Sequence, residues 1–275
     1  MGQLDGKVAF ITGAARGQGR SHAITLAKEG ADIIAIDVCK QVDTVPYPGA
    51  TSEDLQETVR QVEALDRRII ASEVDIRDYA GLKTAVDQGV ADLGRLDIVV
   101  SQAGISTPAP TLEMDEETWQ TMIDVNLTGQ WHTVKAAVPH IVSGGRGGAV
   151  VITSSLAALI ANANTAHYSA AKAGLVGLMR VLAVELAPQS IRVNTIHPTT
   201  VNTDMILNEP TYKLFRPDLA TPTRADFEVA ALTLNKLPIA GVEPIDISNA
   251  VLYLVGDSGR YVTGTTHVVD AGGQL

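Results

Sequence analysis

Tyr168 and Lys172 stand four residues apart in "TAHYSAAKAG", a segment of helical periodicity, so they share one helix face a turn apart. A phenol titrates near about 10 and is a poor base at neutral pH. A lysine ammonium within about 4–6 Å favours the phenolate, which can then take a proton from an alcohol. Ser155 ends an apolar run upstream, where its hydroxyl can hold the oxygen being deprotonated. Taken singly, a Tyr-x-x-x-Lys pair on a helix is usually plain surface. What precedes it gives it meaning.

Residues 8–38 read "VAFITGAARGQGRSHAITLAKEGADIIAIDV". Gly13, Gly17 and Gly19 fall between an apolar strand-like run and a helical one. Without a Cβ the backbone there turns tightly and approaches a phosphate, and the helix start offers unpaired N–H groups and a positive dipole end. Glycines alone would also serve tight packing. The second apolar run, however, ends in Asp37, placed to accept hydrogen bonds from the hydroxyls of an adenosine ribose. Together these features predict a bound dinucleotide. A nicotinamide ring would complete the chemistry, taking hydride from the carbon whose hydroxyl Tyr168 deprotonates. Arg16 would suit a 2′-phosphate, but Asp37 would repel one, and a flexible, exposed Arg recovers less than that contact costs. The expected cofactor is NAD.

The elements needed to hold these groups follow from the apolar pattern. Runs at 8–12, 32–37, 68–75, 96–104, 148–155 and 191–198 alternate with helical segments at 17–30, 52–68, 79–93, 116–142 and 166–187. Ser52 is the expected cap of the second helix. A helix over 246–255 and a strand in "THVVDAG" close the chain. Strands apolar on both faces, alternating with helices, predict a doubly wound, mostly parallel sheet in an α/β domain spanning 1–275. Ligands in such sheets bind beyond the carboxyl ends of the strands, where the winding reverses.

Composition narrows the partners. Of 275 residues 45% are hydrophobic and 19% charged, enough apolar mass for a sizeable core. A net charge of −10 argues against nucleic acid or an anionic membrane. The one cysteine, Cys39, and six dispersed histidines give neither a disulfide framework nor a metal site. The N-terminus lacks the pattern of a signal peptide, and the expected compartment is a reducing one, the cytoplasm. Residues 147–171 carry no charge, but Thr153, Ser154, Ser155, Asn162 and Asn164 break their apolar run well short of a membrane span. "NLT" at Asn126 has the form of a glycosylation sequon, with nothing else pointing to secretion.

The chain resembles the short-chain dehydrogenase/reductase family along essentially its whole length. The matches are "TGAARGQG" (12–19), Asp37, "VDI" (74–76), "DVNLTG" (124–129), Ser154-Ser155, "YSAAK" (168–172) and "IHPTTVNTDM" (196–205). The resemblance implies a Rossmann fold and gives Ser155 to the substrate oxygen, Tyr168 to acid/base work, and Lys172 to ribose binding and lowering of the phenol pKa. Asn126 would interrupt its helix and hold a water of the proton relay. Asp75 and Ile76 would flank the adenine, and Val201 and Thr203 would approach the nicotinamide amide. Gln18, Ala103, Gly104 and Pro198 complete the implied cofactor contacts. Two departures stand out: "SQAG" (101–104) replaces Asn-Asn-Ala-Gly, and Thr199-Thr200 follow Pro198 where Gly is common.

A narrower similarity is to the carveol dehydrogenase-like, mycofactocin-dependent branch. It rests on the insertion "VCKQVDTVPYPGAT" (38–51), "IHPTTVNT", "LFRPDLATPTRADF" (214–227) and "VEPIDISNAVLYL" (242–254). It implies NAD held without ready exchange, reoxidised by mycofactocin, with the insertion folded over the adenosine end. Residues 204–240, with four prolines, match the family's substrate lid, and Leu156, Ile160 and Met205 point to a lipophilic secondary alcohol or ketone. A homotetramer is implied by the family, with 116–142, 166–187 and "DAGGQL" at its contacts. An ordinary, freely exchanging alcohol or steroid dehydrogenase and a non-catalytic nicotinamide binder are the competing readings.

Overall fold

The structure, a computed structural model, describes residues 2–275. Seven parallel strands lie in the order β3-β2-β1-β4-β5-β6-β7: β1 (Val8–Thr12), β2 (Asp32–Asp37), β3 (Ile69–Glu73), β4 (Ile98–Ser101), β5 (Gly148–Thr153), β6 (Ile191–Pro198) and β7 (Thr266–Val269). Winding reverses between β1 and β4, which pair Ala9 with Ile98 and Ile11 with Val100. A crevice opens there at the carboxyl ends.

The period of two along each strand divides the core. Ala9, Ile11, Ile33, Ala35, Val100 and Val151 face one side, covered by α1 (Gly17–Lys28), α2 (Ser52–Glu63) and α9 (Pro244–Val255). Phe10, Ile34, Ile36, Val99, Val150 and Ile152 face the other, under α3 (Tyr79–Leu93), α5 (Gln130–Gly144) and α6 (Ala166–Leu186). Phe10 is completely buried, and its side chain alone contributes about 1.5–3 kcal/mol through area removed from water.

Several boundaries differ from the sequence expectation for local reasons. The helix after the insertion is capped by Thr51, not Ser52: Thr51 Oγ1 accepts from Asp54 N (3.2 Å) while Asp54 Oδ2 accepts from Thr51 N (2.9 Å). It stops at Glu63 rather than 68, and Asp66 then turns the chain with a left-handed φ of 56°. The run 96–104 pairs only over Ile98–Ser101, because 102–104 leave the sheet to wall the crevice. The segment 116–142 is not one helix. It is α4 (Glu116–Ile123), a π-helical turn over Asp124–Gly129, and α5. The expanded turn brings buried Asn126 inward, where its Oδ1 accepts from Ile105 N (3.0 Å) and its Nδ2 donates to Ile105 O (2.8 Å). Between β6 and α9 the chain forms α7 (Glu209–Phe215) and α8 (Arg224–Ala231), joined through Phe227 stacked with Tyr212 and Phe215 at 5.4 and 4.9 Å.

Candidate active site

The turn from β1 to α1 is built around missing side chains. Gly13 has φ 68°, and a Cβ there would lie 2.8 Å from Ala103 Cα; one on Gly19 would lie 1.9 Å from Gly13 O. Helix α1 begins without a side-chain cap, leaving its first N–H groups for an anion. Beside them Gln18 Oε1 is buried without a hydrogen-bond partner, an acceptor awaiting a donor. These groups open into a cleft of about 1050 Å³, open solvent included. Of the predicted cofactor residues, Gly13, Arg16, Gly17, Gln18, Gly19, Asp37, Asp75, Ile76, Ala103, Gly104 and Thr203 line it. The cradle fits a dinucleotide.

At its adenosine end Asp37 is buried, with Oδ2 accepting from Ala15 N (3.0 Å) and Oδ1 from Cys39 N (3.3 Å). Burial raises its pKa, while the backbone donors and Arg16 pull it the other way. Asp75 is gripped by Arg77 at 2.6–3.1 Å; burial alone would raise its pKa, but that grip holds it below the ordinary value. Arg16, expected to be exposed, is half-buried and paired. Its guanidinium donates to Pro48 O and pairs with Asp204 at 3.1 Å.

The insertion is organised by Gln41, whose Nε2 donates to the carbonyls of Val42, Val45 and Tyr47 while its Oε1 accepts from Gly49 N. It lines the cleft on the side of Asp37 and reaches further. Tyr47 Oη accepts from Ser106 N (3.3 Å) and Thr44 O from Thr107 Oγ1 (2.8 Å), so the insertion is tied to the loop after β4. Burial pushes the Tyr47 phenol up to about 12.

Ser155, Tyr168, Lys172 and Asn126 lie behind the wall formed by 102–105. Gly104 is the hinge between the two regions: it lines the cleft, and a Cβ on it would stand 2.7 Å from Asn126 Oδ1 and 3.5 Å from Lys172 Nζ. Lys172 is 3% exposed; Nζ donates to Thr153 O (2.8 Å) and sits 5.6 Å from the Tyr168 ring centroid. Ser155 has extended backbone, and its Oγ accepts from Ala157 N (3.1 Å). The same hydroxyl faces the Tyr168 phenol closely enough to favour its charged form. The expected lowering of the Tyr168 pKa relied on Lys172 together with an oxidised nicotinamide, and the protein groups alone do not produce it. Burial pushes the phenol up, the Ser155 hydroxyl opposes this, and burial brings Lys172 itself down to about 7, so its charge is weakened as a partner. Pro198 and Val201 also stay off the cleft: Pro198 ends β6, and Val201 is buried in the core, bridging to Val242.

Residues 7–212 match the short chain dehydrogenase family. The chain is 55% identical over 276 residues to (-)-trans-carveol dehydrogenase of Rhodococcus erythropolis, covering all of both proteins. The crystal structure of carveol dehydrogenase from Mycobacterium avium in complex with NAD superposes with a TM-score of 0.98 at 55% identity, covering 99% of each chain. A short chain dehydrogenase from Mycobacterium paratuberculosis bound to NAD gives 0.91 at 44% identity, again over 99% of each. The chain belongs to the short-chain dehydrogenase family.

Two departures from the family pattern have local roles. Gln102, where the family has Asn, accepts from Thr153 Oγ1 at 2.6 Å. Thr199 donates through Oγ1 to Asn235 Oδ1 (3.1 Å) and Thr200 O accepts from Val242 N (2.9 Å), fastening the segment before α9 to β6. Residues the sequence reading missed act as braces. Ser154 Oγ donates to Lys172 O (2.8 Å), and His197 Nδ1 lies 2.9 Å from Ser155 O. Both work through backbone carbonyls, which leave no trace in residue type. Tyr47 carried a signal only in being the one aromatic residue of the insertion. No helix among the described residues is long and apolar enough to cross a membrane.

Proposed function

We propose that this chain oxidises lipophilic secondary alcohols of terpenoid, carveol-like type with NAD, retains the NAD between turnovers, and passes the electrons to mycofactocin. The observation that carries this reading is the strap over the cleft: Arg16 joins Pro48 to Asp204, and Thr44 and Tyr47 join the insertion to Thr107 and Ser106. The relatives named for carveol and bound to NAD support the substrate class and the cofactor. Leu156 and Met205 beside the site, and an aromatic cluster in the lid at about 204–240, support a lipophilic occupant.

When bound, NAD supplies a nicotinamide ring that accepts hydride from the carbinol carbon. The rest falls to side chains. Ser155 Oγ already accepts from Ala157 N, which leaves its own hydrogen for the substrate oxygen. Tyr168 takes the hydroxyl proton as the ketone forms. Lys172, aimed by Thr153 O, binds the nicotinamide ribose; the positive charge of the oxidised ring adds what this half-neutral amine does not supply to the phenolate. Asn126, at the π-helical turn, supports a water through which the proton leaves. Thr203, which lines the cleft, would hold the nicotinamide amide, with Pro198 and Val201 supporting the segment that carries it. Mycofactocin would supply the oxidant that returns the retained cofactor to NAD. Val181 and Val184, 55% and 76% exposed on α6, support the homotetramer. We place the protein in the cytoplasm.

The test is a spectrum of the purified protein before and after a cyclic terpenoid alcohol is added without NAD. The reading predicts a new band of reduced nicotinamide, and nicotinamide released on unfolding. Protein that carries no nucleotide, or that turns over freely on added NAD alone, is an ordinary exchanging dehydrogenase of the same fold.

A further inference from the structure

Behind the wall of the cleft runs a buried polar chain that the mechanism does not use. His22 of α1 is completely buried; its Nδ1 lies 2.8 Å from Ser248 Oγ of α9 and its Nε2 lies 3.1 Å from Gln102 Oε1. Thr153 Oγ1 donates to the same Gln102 oxygen. With Gln102 Oε1 the acceptor, His22 carries its hydrogen on Nε2, and Nδ1 faces Ser248 Oγ, whose hydroxyl also donates to Pro244 O (3.0 Å). Ser21 Oγ, 2.7 Å from Ser248 Oγ, can donate in turn and complete the chain. Burial lowers the His22 pKa to about 4, which keeps the ring neutral.

The consequence falls on Gln102. Both lone pairs of Oε1 are taken, by His22 Nε2 and Thr153 Oγ1. Nε2 is therefore fixed facing away from His22 and Thr153. None of the network's hydrogen bonds engages it, and Gln102 lines the dinucleotide cleft between Gly13 and Gly104. We propose that Gln102 is a cofactor-binding residue whose Nε2 donates to a ribose or diphosphate oxygen of the dinucleotide, with His22 and Thr153 as the positioning residues that aim it. This inference rests on the reading of the cleft as the NAD site. It also explains why Gln serves where the family has Asn: a side chain longer by one methylene meets His22 and Thr153 with its oxygen while presenting its nitrogen to the cleft. The Thr153 that aims Gln102 with its hydroxyl holds Lys172 with its carbonyl, so one residue registers the cofactor contact against the catalytic amine.

The experiment is titration of nucleotide-stripped protein with NAD and with ADP-ribose, followed by tryptophan fluorescence, on wild type, Gln102→Glu, Gln102→Met and His22→Phe. Gln102→Glu keeps the acceptor but puts a carboxylate oxygen where the NH₂ points. It is expected to weaken both ligands about ten-fold or more at pH 8. Gln102→Met, which removes the donor without adding charge, should weaken both by a smaller factor, and His22→Phe should do so with Gln102 intact. The pH profile of kcat, set by Tyr168, should stay in place in Gln102→Glu. Folded Gln102→Glu and Gln102→Met with affinities within two-fold of wild type overturn the proposal, leaving Gln102 an internal brace. Should Gln102→Glu not fold, the Gln102→Met titration decides alone. If wild type itself binds neither ligand, it is the NAD reading that fails.

Discussion

Replacing Lys172 by Met should stabilise the fold while removing activity. The amine is 3% exposed, and burial brings its pKa from the ordinary 10.5 down to about 7. Because the folded-state value is the lower, the unfolded chain binds more protons between pH 7 and 10.5, and stability rises with pH across that window. Below it the burden is complete: at about 1.4 kcal/mol per pH unit, the drop amounts to about 5 kcal/mol. Methionine fills the same stem volume without the charge but forfeits the bond to Thr153 O, worth about 1–2 kcal/mol. A net gain of about 3 kcal/mol is expected at pH 7, shrinking to within about 1 kcal/mol by pH 10. Urea unfolding at both pH values reads it, with both proteins free of nucleotide because a ligand bound only to the folded state adds its own stabilisation. A variant less stable than wild type at pH 7, or a difference that does not change with pH, refutes the reasoning.

Arg16→Ala cuts the links to Pro48 and Asp204, and should speed loss of NAD from purified protein about ten-fold, measured as nucleotide retained after gel filtration, with the rate of a single turnover unchanged. Gly104→Ala places a methyl 2.7 Å from Asn126 Oδ1 and should reduce alcohol oxidation about ten-fold or more while circular dichroism stays native. His22, neutral and depressed to about 4 against an unfolded value of 6.5, contributes stability above pH 6.5 that is lost as pH falls to about 4. Wild type should lose about 3 kcal/mol there that a His22→Gln variant does not, as read from denaturation midpoints at stepped pH.

The parts legible in the sequence are those where chemistry restricts residue type. Gly13 and Gly19 stand where a Cβ would strike backbone, Asp37 ends β2 beside the glycine turn, and Tyr168 and Lys172 share a helix face. Strands apolar on both faces likewise foretold a sheet covered on both sides, and Ile11 and Phe10 do lie in opposite cores. What escaped depends on contacts between distant segments. Nothing near Arg16 announces Asp204, 188 residues away, and nothing near His22 announces Gln102 or Ser248. The apolar pattern of 116–142 is continuous and hides the break at Asn126 that the family resemblance implied; the structure gives that break as a π-helical turn held by the grip of Asn126 on Ile105. The Tyr168–Lys172 spacing, with an oxidised nicotinamide, promised an acidified phenol. Among the protein groups alone burial reverses that, because the matrix that brings the two together also takes them out of water.

The central claim is that the Tyr168 hydroxyl accepts the proton of a substrate alcohol. Tyr168→Phe removes one oxygen and leaves the cleft lining intact. The account predicts that this variant binds NAD as wild type does and oxidises a cyclic secondary alcohol about 10²–10⁴-fold more slowly. Oxidation by Tyr168→Phe at the wild-type rate would contradict it.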